Sequence, residues 1–307
     1  MRRWDRAYAE YLKIHFRALT RDLKSKLEQV VAGRAVPSTA NIAIGAARKL
    51  NAAVLFFDIE GSSRLSATDA LYTLNVVVPT IMRIVHDHDG YIEKNTGDGV
   101  MAIFTAMDDK VACKAALQAA LVMFHSLNEF INPQFISQRY PRVAARVGID
   151  FGTIYVSRVG VPQGSSNSDR SFLTAIGPAA NIACRLQEQA GTNETWVGDA
   201  VQRFAPPEWQ GSFSPAHPDP AKWTWVQPVG GDQTRAYPAW RFNATLSQLS
   251  SASTFLTSPL PTGVPAAVRP PAPTILSDFL RPAPTQIQPP SAYQALIDAL
   301  MKQKPPS

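Results

Sequence analysis

The stretch Asn51-Ala-Ala-Val-Leu-Phe-Phe-Asp-Ile59 is a short, nearly continuous apolar run, and Glu60 and Gly61-Ser62-Ser63 follow it directly. A run of this length that ends at a turn signal is typical of a buried strand. A carboxylate at the end of such a strand is costly unless something pairs with it, so Asp58 is a candidate functional residue. Gly61 and the serines predict a turn whose backbone N–H groups can cradle a phosphate.

Periodicity and turn residues on either side of this strand predict the remaining elements. Asp98-Gly99 is typical of a tight hairpin turn, and the polar segment 164–170 is expected to be an exposed hairpin tip. The order β-α-β-β-α-β predicts an α+β, ferredoxin-like core, with an antiparallel-rich sheet and helices on one face. The predicted helices cover 67–88 (with a kink at Pro79), 108–131, 177–190 and 199–204; the predicted strands cover 91–97, 99–105, 143–160 (a strand pair around Gly152), 194–197 and 235–243.

Composition divides the chain into three segments. Residues 1–50 carry eleven Lys and Arg against four Asp and Glu, and apolar residues at helical spacing over 4–31 predict a basic helical segment. Residues 51–244 are the predicted core domain. Residues 245–307 hold 12 of the 25 prolines, which favours a largely disordered tail with one short helix over 291–302.

Charge and cysteine content limit the expected binding partners and the expected cellular compartment of the protein. The basic N-terminal segment could touch nucleic acid or an anionic surface, but a solvated helix face is the preferred interpretation, so no nucleic-acid partner is expected. No apolar run approaches the roughly 20 residues of a membrane span, and the N-terminus lacks the apolar stretch of a secretory signal. Cys113 and Cys184 suggest no disulfide framework, which together with these absences predicts a cytoplasmic protein.

A second acid lies forty residues after the first, at the predicted hairpin tip. If the two strands are neighbours, Asp98 and Asp58 converge. With the backbone carbonyl of Ile59 they would form an all-oxygen site suited to Mg²⁺ or Mn²⁺, with substrate phosphates as the other ligands. Alone, Asp98 would be read as an ordinary Asp-Gly turn.

The helix predicted after Gly177-Pro178 carries two polar residues on one face. Asn181 and Arg185 are four positions apart in an otherwise Ala-, Ile- and Leu-rich segment, so they share a face. They need partners, either in a functional site or in a surface capping or salt-bridging pair.

Together, these pieces resemble the class III nucleotidyl cyclases, the family of adenylate and guanylate cyclases. The resemblance covers roughly residues 51–205 and fits in both order and spacing. The segments that carry it are Phe57-Asp-Ile-Glu-Gly-Ser-Ser63, Glu93-Lys-Asn-Thr-Gly-Asp-Gly-Val-Met-Ala-Ile-Phe104, Arg146-Val-Gly-Ile-Asp-Phe-Gly152 and Ile176-Gly-Pro-Ala-Ala-Asn-Ile-Ala-Cys-Arg-Leu186.

The resemblance implies a role for each matching residue. Asp58, Asp98 and the Ile59 carbonyl would hold two divalent metal ions, Mn²⁺ or Mg²⁺. Asn181 would orient the ribose, and Arg185 would stabilise charge on the transferring phosphoryl group. The family forms its sites between two antiparallel protomers, so a homodimer with shared active sites is expected. The triphosphate would be wrapped by Phe57, Glu60, Gly61, Ser62 and Ser63.

The same family selects its base at two positions, here Lys94 and Thr174. This pair resembles adenylate cyclases and favours ATP. The overall layout, with a short basic lead and a Pro-rich tail, is instead similar to the stand-alone pyrimidine cyclases of bacterial Pycsar antiphage systems, which favours UTP, then CTP. Their cyclic product activates a separate effector. Lys94 does not exclude UTP, because an ammonium can donate to a uracil carbonyl.

Several alternatives compete with these expectations. His86-Asp-His-Asp89 is a weak metal-ligand candidate, because its two histidines do not share a helix face. Diguanylate cyclases need a Gly-Gly-Asp/Glu-Glu-Phe turn that this chain lacks, and a catalytically silent nucleotide-binding module would usually have lost a metal Asp or the Arg. The further basic residue that the family supplies to the triphosphate remains open among Lys222, Arg235 and Arg241.

Overall fold

The computed structural model describes residues 23–161, 170–230 and 233–246. Three predicted segments lie wholly or mostly outside the described residues. They are most of the N-terminal helical segment, the predicted hairpin tip 164–170 except for its last residue, and the tail from 247 with its predicted helix over 291–302. Of the N-terminal segment, the structure describes a short helix, α1 (Leu23–Glu28), and a two-residue strand, β1 (Val31–Ala32).

The described elements follow the predicted order, with additions near the end. The other helices are α2 (Ala67–Asp87), α3 (Asp109–Ser126), α4 (Asn132–Ser137), α5 (Pro178–Gln189) and α6 (Asp199–Phe204), with a π-helical turn at Leu127–Ile131. The other strands are β2 (Ala47–Ile59), β3 (Tyr91–Asn95), β4 (Gly99–Phe104), β5 (Ala145–Val161), β6 (Arg170–Ile176), β7 (Thr195–Gly198), β8 (Phe213–Ala216), β9 (Val226–Gly230), β10 (Gln233–Ala236) and β11 (Ala239–Phe242).

The main sheet has the strand order β3-β4-β2-β5-β7-β11-β8, with β6 added along β5 and β1 along β2. Most pairs are antiparallel, and the β5–β7 and β1–β2 pairs are parallel. The prediction of a strand pair around Gly152 is wrong, because β5 is one continuous strand that pairs with β2 from Ala145 through Ser157. Its outer half continues as a two-stranded ribbon with β6.

Strand β2 is central because its side chains are apolar on both faces. Leu55 and Phe57 belong to a core formed with α2 and α3, whereas Ala52 and Val54 belong to a second core formed with α5. Alternation along a strand sends successive residues to opposite faces. The expectation of helices on one face is therefore wrong, and Asp58 lies on the α5 face.

Helix α5 lies unusually close to β5. A Cβ at Gly148 would come within 2.1 Å of the Ala183 carbonyl oxygen and 2.3 Å of the Gln187 nitrogen, so only glycine fits there. Small residues on the inner face of the helix, Ala179, Ala180 and Ala183, complete this contact. The close approach fixes where the rest of α5 stands relative to the sheet.

The C-terminal part of the described core is held by aromatic packing. Trp209 is buried in the core on the α2 and α3 face, and Trp223 is buried in a third cluster with Trp196 and Leu186. These three tryptophans thus pack in the hydrophobic clusters. Within the described ranges, no helix is long and apolar enough to cross a bilayer.

Candidate active site

Asp58 and Asp98 meet at one end of the β2–β4 pair. Asp58 is opposite Gly99 in the ladder, and the Ile59 N–H donates to the Asp98 carbonyl at 3.3 Å. Burial first, and the negative charge of Asp98 second, raise the pKa of Asp58, whereas Arg146 and a hydrogen bond with Gln187 lower it. Two carboxylates that repel each other at a strand end suit a divalent cation.

The donor set also fits a metal whose remaining ligands come from a substrate. The described residues contain no group of three or more His, Cys, Asp and Glu side chains that could hold an ion by themselves. In the His86–Asp89 segment, His86 lies 3.5 Å from Asp87, and His88 contacts the Ile84 carbonyl at 2.8 Å. Both histidines therefore already interact with neighbouring residues of the same helix. Mg²⁺ typically takes one or two protein carboxylates plus phosphate oxygens.

The turn after β2 has the shape expected of a phosphate-binding loop. Gly61 adopts a left-handed conformation at φ 71°, which favours glycine, and a 3-10 turn over Ser62–Arg64 follows. The Ser62 hydroxyl donates to the Asp98 carboxylate, which ties the loop to the two carboxylates. The Phe57 side chain is buried in the core, so its backbone alone is available to a substrate.

Glu60 has a structural partner. Arg146 donates to its Oε1 at 2.6 Å, and hydrogen bonds from Thr192 and from Arg146 hold the pKa of Glu60 below its usual range. Arg146 is also opposite Asp58 in the β2–β5 register. The predicted triphosphate contact of Glu60 would therefore come from its backbone, and Arg146 is a charged neighbour of Asp58.

Helix α5 presents two different faces. Gln187 is buried, and its side chain lowers the pKa of Asp58, whereas Asn181 and Arg185 are on the exposed face. Arg185 donates to Glu188 at 2.5 Å. The structure thus brings Asp58, Asp98 and Gln187 together within one chain and turns Asn181 and Arg185 outward.

The two predicted base-selecting residues lie on neighbouring elements. Lys94 is on β3, beside a register shift, and its Nζ is 3.2 Å from Glu93 Oε2. Thr174 is on β6, opposite Ser157 of β5. Glu93 joins the two strands, because its Oε1 accepts the Ala175 N–H at 2.9 Å.

The three late basic residues have different surroundings. Arg241 is 3.6 Å from Glu194, and Arg235 faces the Gln227 amide. Lys222 shares with Arg146 the lining of an open cavity of about 580 Å³. The Lys222 ammonium is also 3.6 Å from an Asp219 carboxylate oxygen.

The comparison with protein families decides the identity of this domain. Residues 44–210 match the model of the adenylate and guanylate cyclase catalytic domain. The chain belongs to the class III nucleotidyl cyclase family. Its match therefore covers β2 through α6, including every predicted site residue other than the late basic ones.

Curated relatives of this cyclase carry different base specificities in their names. It is 29% identical to an adenylate cyclase of Anabaena cylindrica over 66% of this chain and 41% of the relative. It is 27% identical to a uridylate cyclase of Burkholderia cepacia over 61% of this chain and 85% of the relative. It is 27% identical to a cytidylate cyclase of Escherichia coli over 47% of this chain and 33% of the relative. The match thus spans less than half of two of these three relatives.

Solved structures agree on the fold. The adenylyl cyclase CyaB from P. aeruginosa matches with a TM-score of 0.52 at 20% identity, over 65% of this cyclase and 96% of that chain. The guanylyl cyclase Cya2 matches with a TM-score of 0.51 at 17% identity, over 64% and 93%.

Sequence reasoning assigned no role to three residues at this site. Arg146 lies in the segment Arg146–Gly152 that resembles the cyclase family, but the resemblance gave it no role of its own. Gln187 is four positions after Ala183 on the buried stripe of α5, so its signal was a polar residue at an apolar helix position. Glu93 gave no signal, because its burial depends on the irregular pairing of β3.

Proposed function

We propose that this cyclase converts a pyrimidine nucleoside triphosphate, UTP before CTP, to its 3′,5′-cyclic monophosphate and pyrophosphate. The observation that carries cyclisation is the meeting of Asp58 and Asp98 beside the Gly61 loop, on the face of the sheet that α5 covers. The presence of Asn181 and Arg185 on α5 argues against a catalytically silent nucleotide-binding module.

Asp58, Asp98 and the Ile59 carbonyl would hold two divalent ions, Mg²⁺ or Mn²⁺. Such ions acidify the attacking 3′-hydroxyl and neutralise the triphosphate. The charge of the Arg146 guanidinium lowers the pKa of Asp58 and so favours its ionised form. The loop from Gly61 to Ser63 would receive phosphate oxygens, Asn181 would orient the ribose, and Arg185 would stabilise charge on the transferring phosphoryl group.

A homodimer with shared sites would use the outward face of α5. Asn181 and Arg185 could then reach the Asp58 and Asp98 pair of a second copy. The β5–β6 ribbon supplies apolar surface for such contact, because its outer face is exposed at the cross-strand pairs Tyr155–Ile176 and Val159–Phe172. Exposed contiguous apolar surface commonly marks an interaction site.

The proposed preference for a pyrimidine base is supported by the share of each relative's length that the match spans. The match spans 85% of the uridylate cyclase but 41% of the Anabaena adenylate cyclase. The Lys94–Thr174 pair favours ATP, and adenylate cyclase activity is the second candidate. A cyclic pyrimidine would act on a separate effector protein in antiphage defence. The free thiols of Cys113 and Cys184 suit a reducing, cytoplasmic setting.

The test is one reaction that contains the full chain, Mn²⁺ and equal concentrations of ATP, GTP, CTP and UTP, with products identified by mass spectrometry. We expect cyclic UMP or cyclic CMP to dominate, and Asp58→Asn or Asp98→Asn to abolish it. Asp87→Asn, which removes a carboxylate from an exposed pair with Arg83, is the matched control.

Three outcomes would overturn parts of this proposal. Dominant cyclic AMP would replace the pyrimidine assignment with adenylate cyclase activity. Full activity of the Asp58→Asn protein would remove the metal assignment. Nucleotide binding without any cyclic product, with Mn²⁺ and with Mg²⁺, would identify a silent module.

A further inference from the structure

Glu93 lies at an irregularity in the edge strand β3. Ile92 is opposite Ala102 of β4 but Lys94 is opposite Met101, so Glu93 is one extra residue in the ladder. In a regular pairing Glu93 would be opposite Met101, and Lys94 would be turned to the other face. Because Met101 belongs to the core on the α5 face, the bulge turns Lys94 to the face that carries Asp58.

The Glu93 side chain is fully buried, with 0% of its surface exposed, whereas 44% of the Lys94 side chain is exposed. Its Oε1 accepts the Ala175 N–H at 2.9 Å and lies 3.4 Å from Lys94 Nζ. The Oε2 of Glu93 is 3.2 Å from the same ammonium and accepts no hydrogen bond from the residues that the structure describes. A buried carboxylate is stable only with a compensating charge, and Lys94 is the cation in contact with it.

Thr174 is the residue immediately before Ala175. The hydrogen bond that ends on Ala175 therefore fixes β6 at the second base-selecting position, while the ion pair fixes Lys94 at the first. Thr174 has no charge with which to hold an ammonium. The counter-charge for Lys94 comes instead from its own strand, through Glu93.

We propose that Glu93 is a positioning residue that fixes Lys94 relative to strand β6, which carries Thr174, and so sets base discrimination. This inference rests on the proposed function, since it assumes that these two positions face the base. Glu93 acts through Lys94 and through β6, and its buried position keeps it from touching the substrate.

The experiment compares Glu93→Gln with the unaltered chain, with Asp87→Asn as the control that removes an exposed, paired carboxylate. Glutamine keeps the acceptor for Ala175 but removes the charge that holds Lys94. We expect KM for the preferred triphosphate to rise about tenfold, since a hydrogen bond to a charged group is removed. We expect kcat at saturation to change less than about twofold, because that contact lies outside the reacting atoms. Discrimination among the four triphosphates should fall by a similar factor of about ten.

Amide exchange at Ala175 separates positioning from general damage. Protection of this N–H should survive in Glu93→Gln and be lost in Glu93→Ala, since only the first keeps an acceptor. Discrimination should fall in both. Protection that persists in Glu93→Ala would show that Glu93 does not tie β6 to β3, and would overturn that half of the proposal.

Should Glu93→Gln fold poorly, Lys94→Met and the double variant Glu93→Gln/Lys94→Met carry the test, because the double variant leaves no unpaired charge. If Glu93 acts on the base through Lys94, the double variant discriminates as Lys94→Met does. A further, additive loss in the double variant would overturn the proposal.

A binding assay with Ca²⁺ and non-cyclisable α,β-methylene analogues of the four triphosphates distinguishes the two failures. If the unaltered chain makes no cyclic product but binds one analogue preferentially, and Glu93→Gln abolishes the preference, the proposed function fails and the role of Glu93 stands. Equal preference in both proteins, in binding and in turnover, overturns the role of Glu93.

Discussion

At the scale of single residues, the structure separates groups that the sequence presents alike. Asp58 and Asp150 are both acids within apolar strands. Asp58 is half-buried beside a second carboxylate and a guanidinium, which suits a cation. Asp150 is buried, and Tyr237 donates to it at 2.9 Å. Burial raises the pKa of Asp150 to about 8, so it is mostly protonated at neutral pH.

Asp150→Asn is predicted to remove a pH dependence of stability. Between the ordinary value of 3.8 and about 8, Asp150 is ionised in the unfolded chain and protonated in the folded protein. The free energy of unfolding therefore falls as pH rises through this window, by up to about 1.4 kcal/mol per pH unit. Asparagine keeps the acceptor for Tyr237 and does not titrate.

Urea denaturation at several pH values from 5 to about 8 would measure this effect. We expect the variant to gain stability relative to the unaltered chain as pH rises. A difference that stays constant across the range would show that Asp150 is ionised in the folded protein.

Glu188→Gln is predicted to raise kcat/KM modestly. In the single chain Glu188 holds Arg185 at 2.5 Å, and a triphosphate would have to replace this partner. Both side chains are exposed, so the pair is weak and the gain should not exceed about fivefold. Arg185→Ala should instead lower kcat by about 10² to 10³-fold. Steady-state kinetics would check both, and a decrease in Glu188→Gln would show that Glu188 assists Arg185.

At the scale of elements, the site depends on how closely α5 packs on β5. Gly148 and Gly152 are on the same strand and the same face, four residues apart, but they tolerate a methyl group differently. A Cβ at Gly148 would meet backbone atoms of α5 at 2.1 and 2.3 Å, whereas one at Gly152 would meet the Ala179 side chain at 3.5 Å.

Gly148→Ala is predicted to destabilise the protein by about 1–3 kcal/mol or more, because helix backbone cannot yield as a side chain can. Gly152→Ala, the matched control, should change stability by less than about 1 kcal/mol. Chemical denaturation would measure both. Equal effects would show that α5 shifts freely, and then Gln187 could not hold Asp58 in place.

The elements nearest the motifs could be predicted from sequence, and those that depend on distant packing could not. The apolar run of β2, the Asp98-Gly99 turn and α5 follow from local signals, and all are present. The course of β5 through Gly152 was missed, because glycine at that position reads as a break although it lies within a long ladder. The presence of helices on both faces of the sheet was not predicted, because the apolar character of β2 does not show which helix covers which face.

At the scale of the whole molecule, the predicted catalytic side chains lie in two different places. Asp58 and Asp98 lie at the sheet, and Arg185 faces outward on α5. If sites are shared between protomers, two inactive variants should complement each other. In a mixture of Asp58→Ala and Arg185→Ala, half of the dimers would be mixed, and each of these would have one intact site of two.

The mixture is therefore predicted to recover about a quarter of the activity of the unaltered chain. Activity of the mixture after subunit exchange, compared with each variant alone, would measure it. Absence of recovery while mixed dimers form would place Asp58 and Arg185 of one chain in the same site.

The outward direction of Arg185 has a consequence for signalling under the proposed assembly. A lone chain carries two incomplete halves, so assembly follows mass action, and the concentration of active dimer rises with the square of monomer concentration when dimers are scarce. A few copies per cell would then be nearly silent, and a severalfold rise in expression would switch on synthesis more than proportionally. Gene dosage by itself would act as a threshold, without any dedicated sensor.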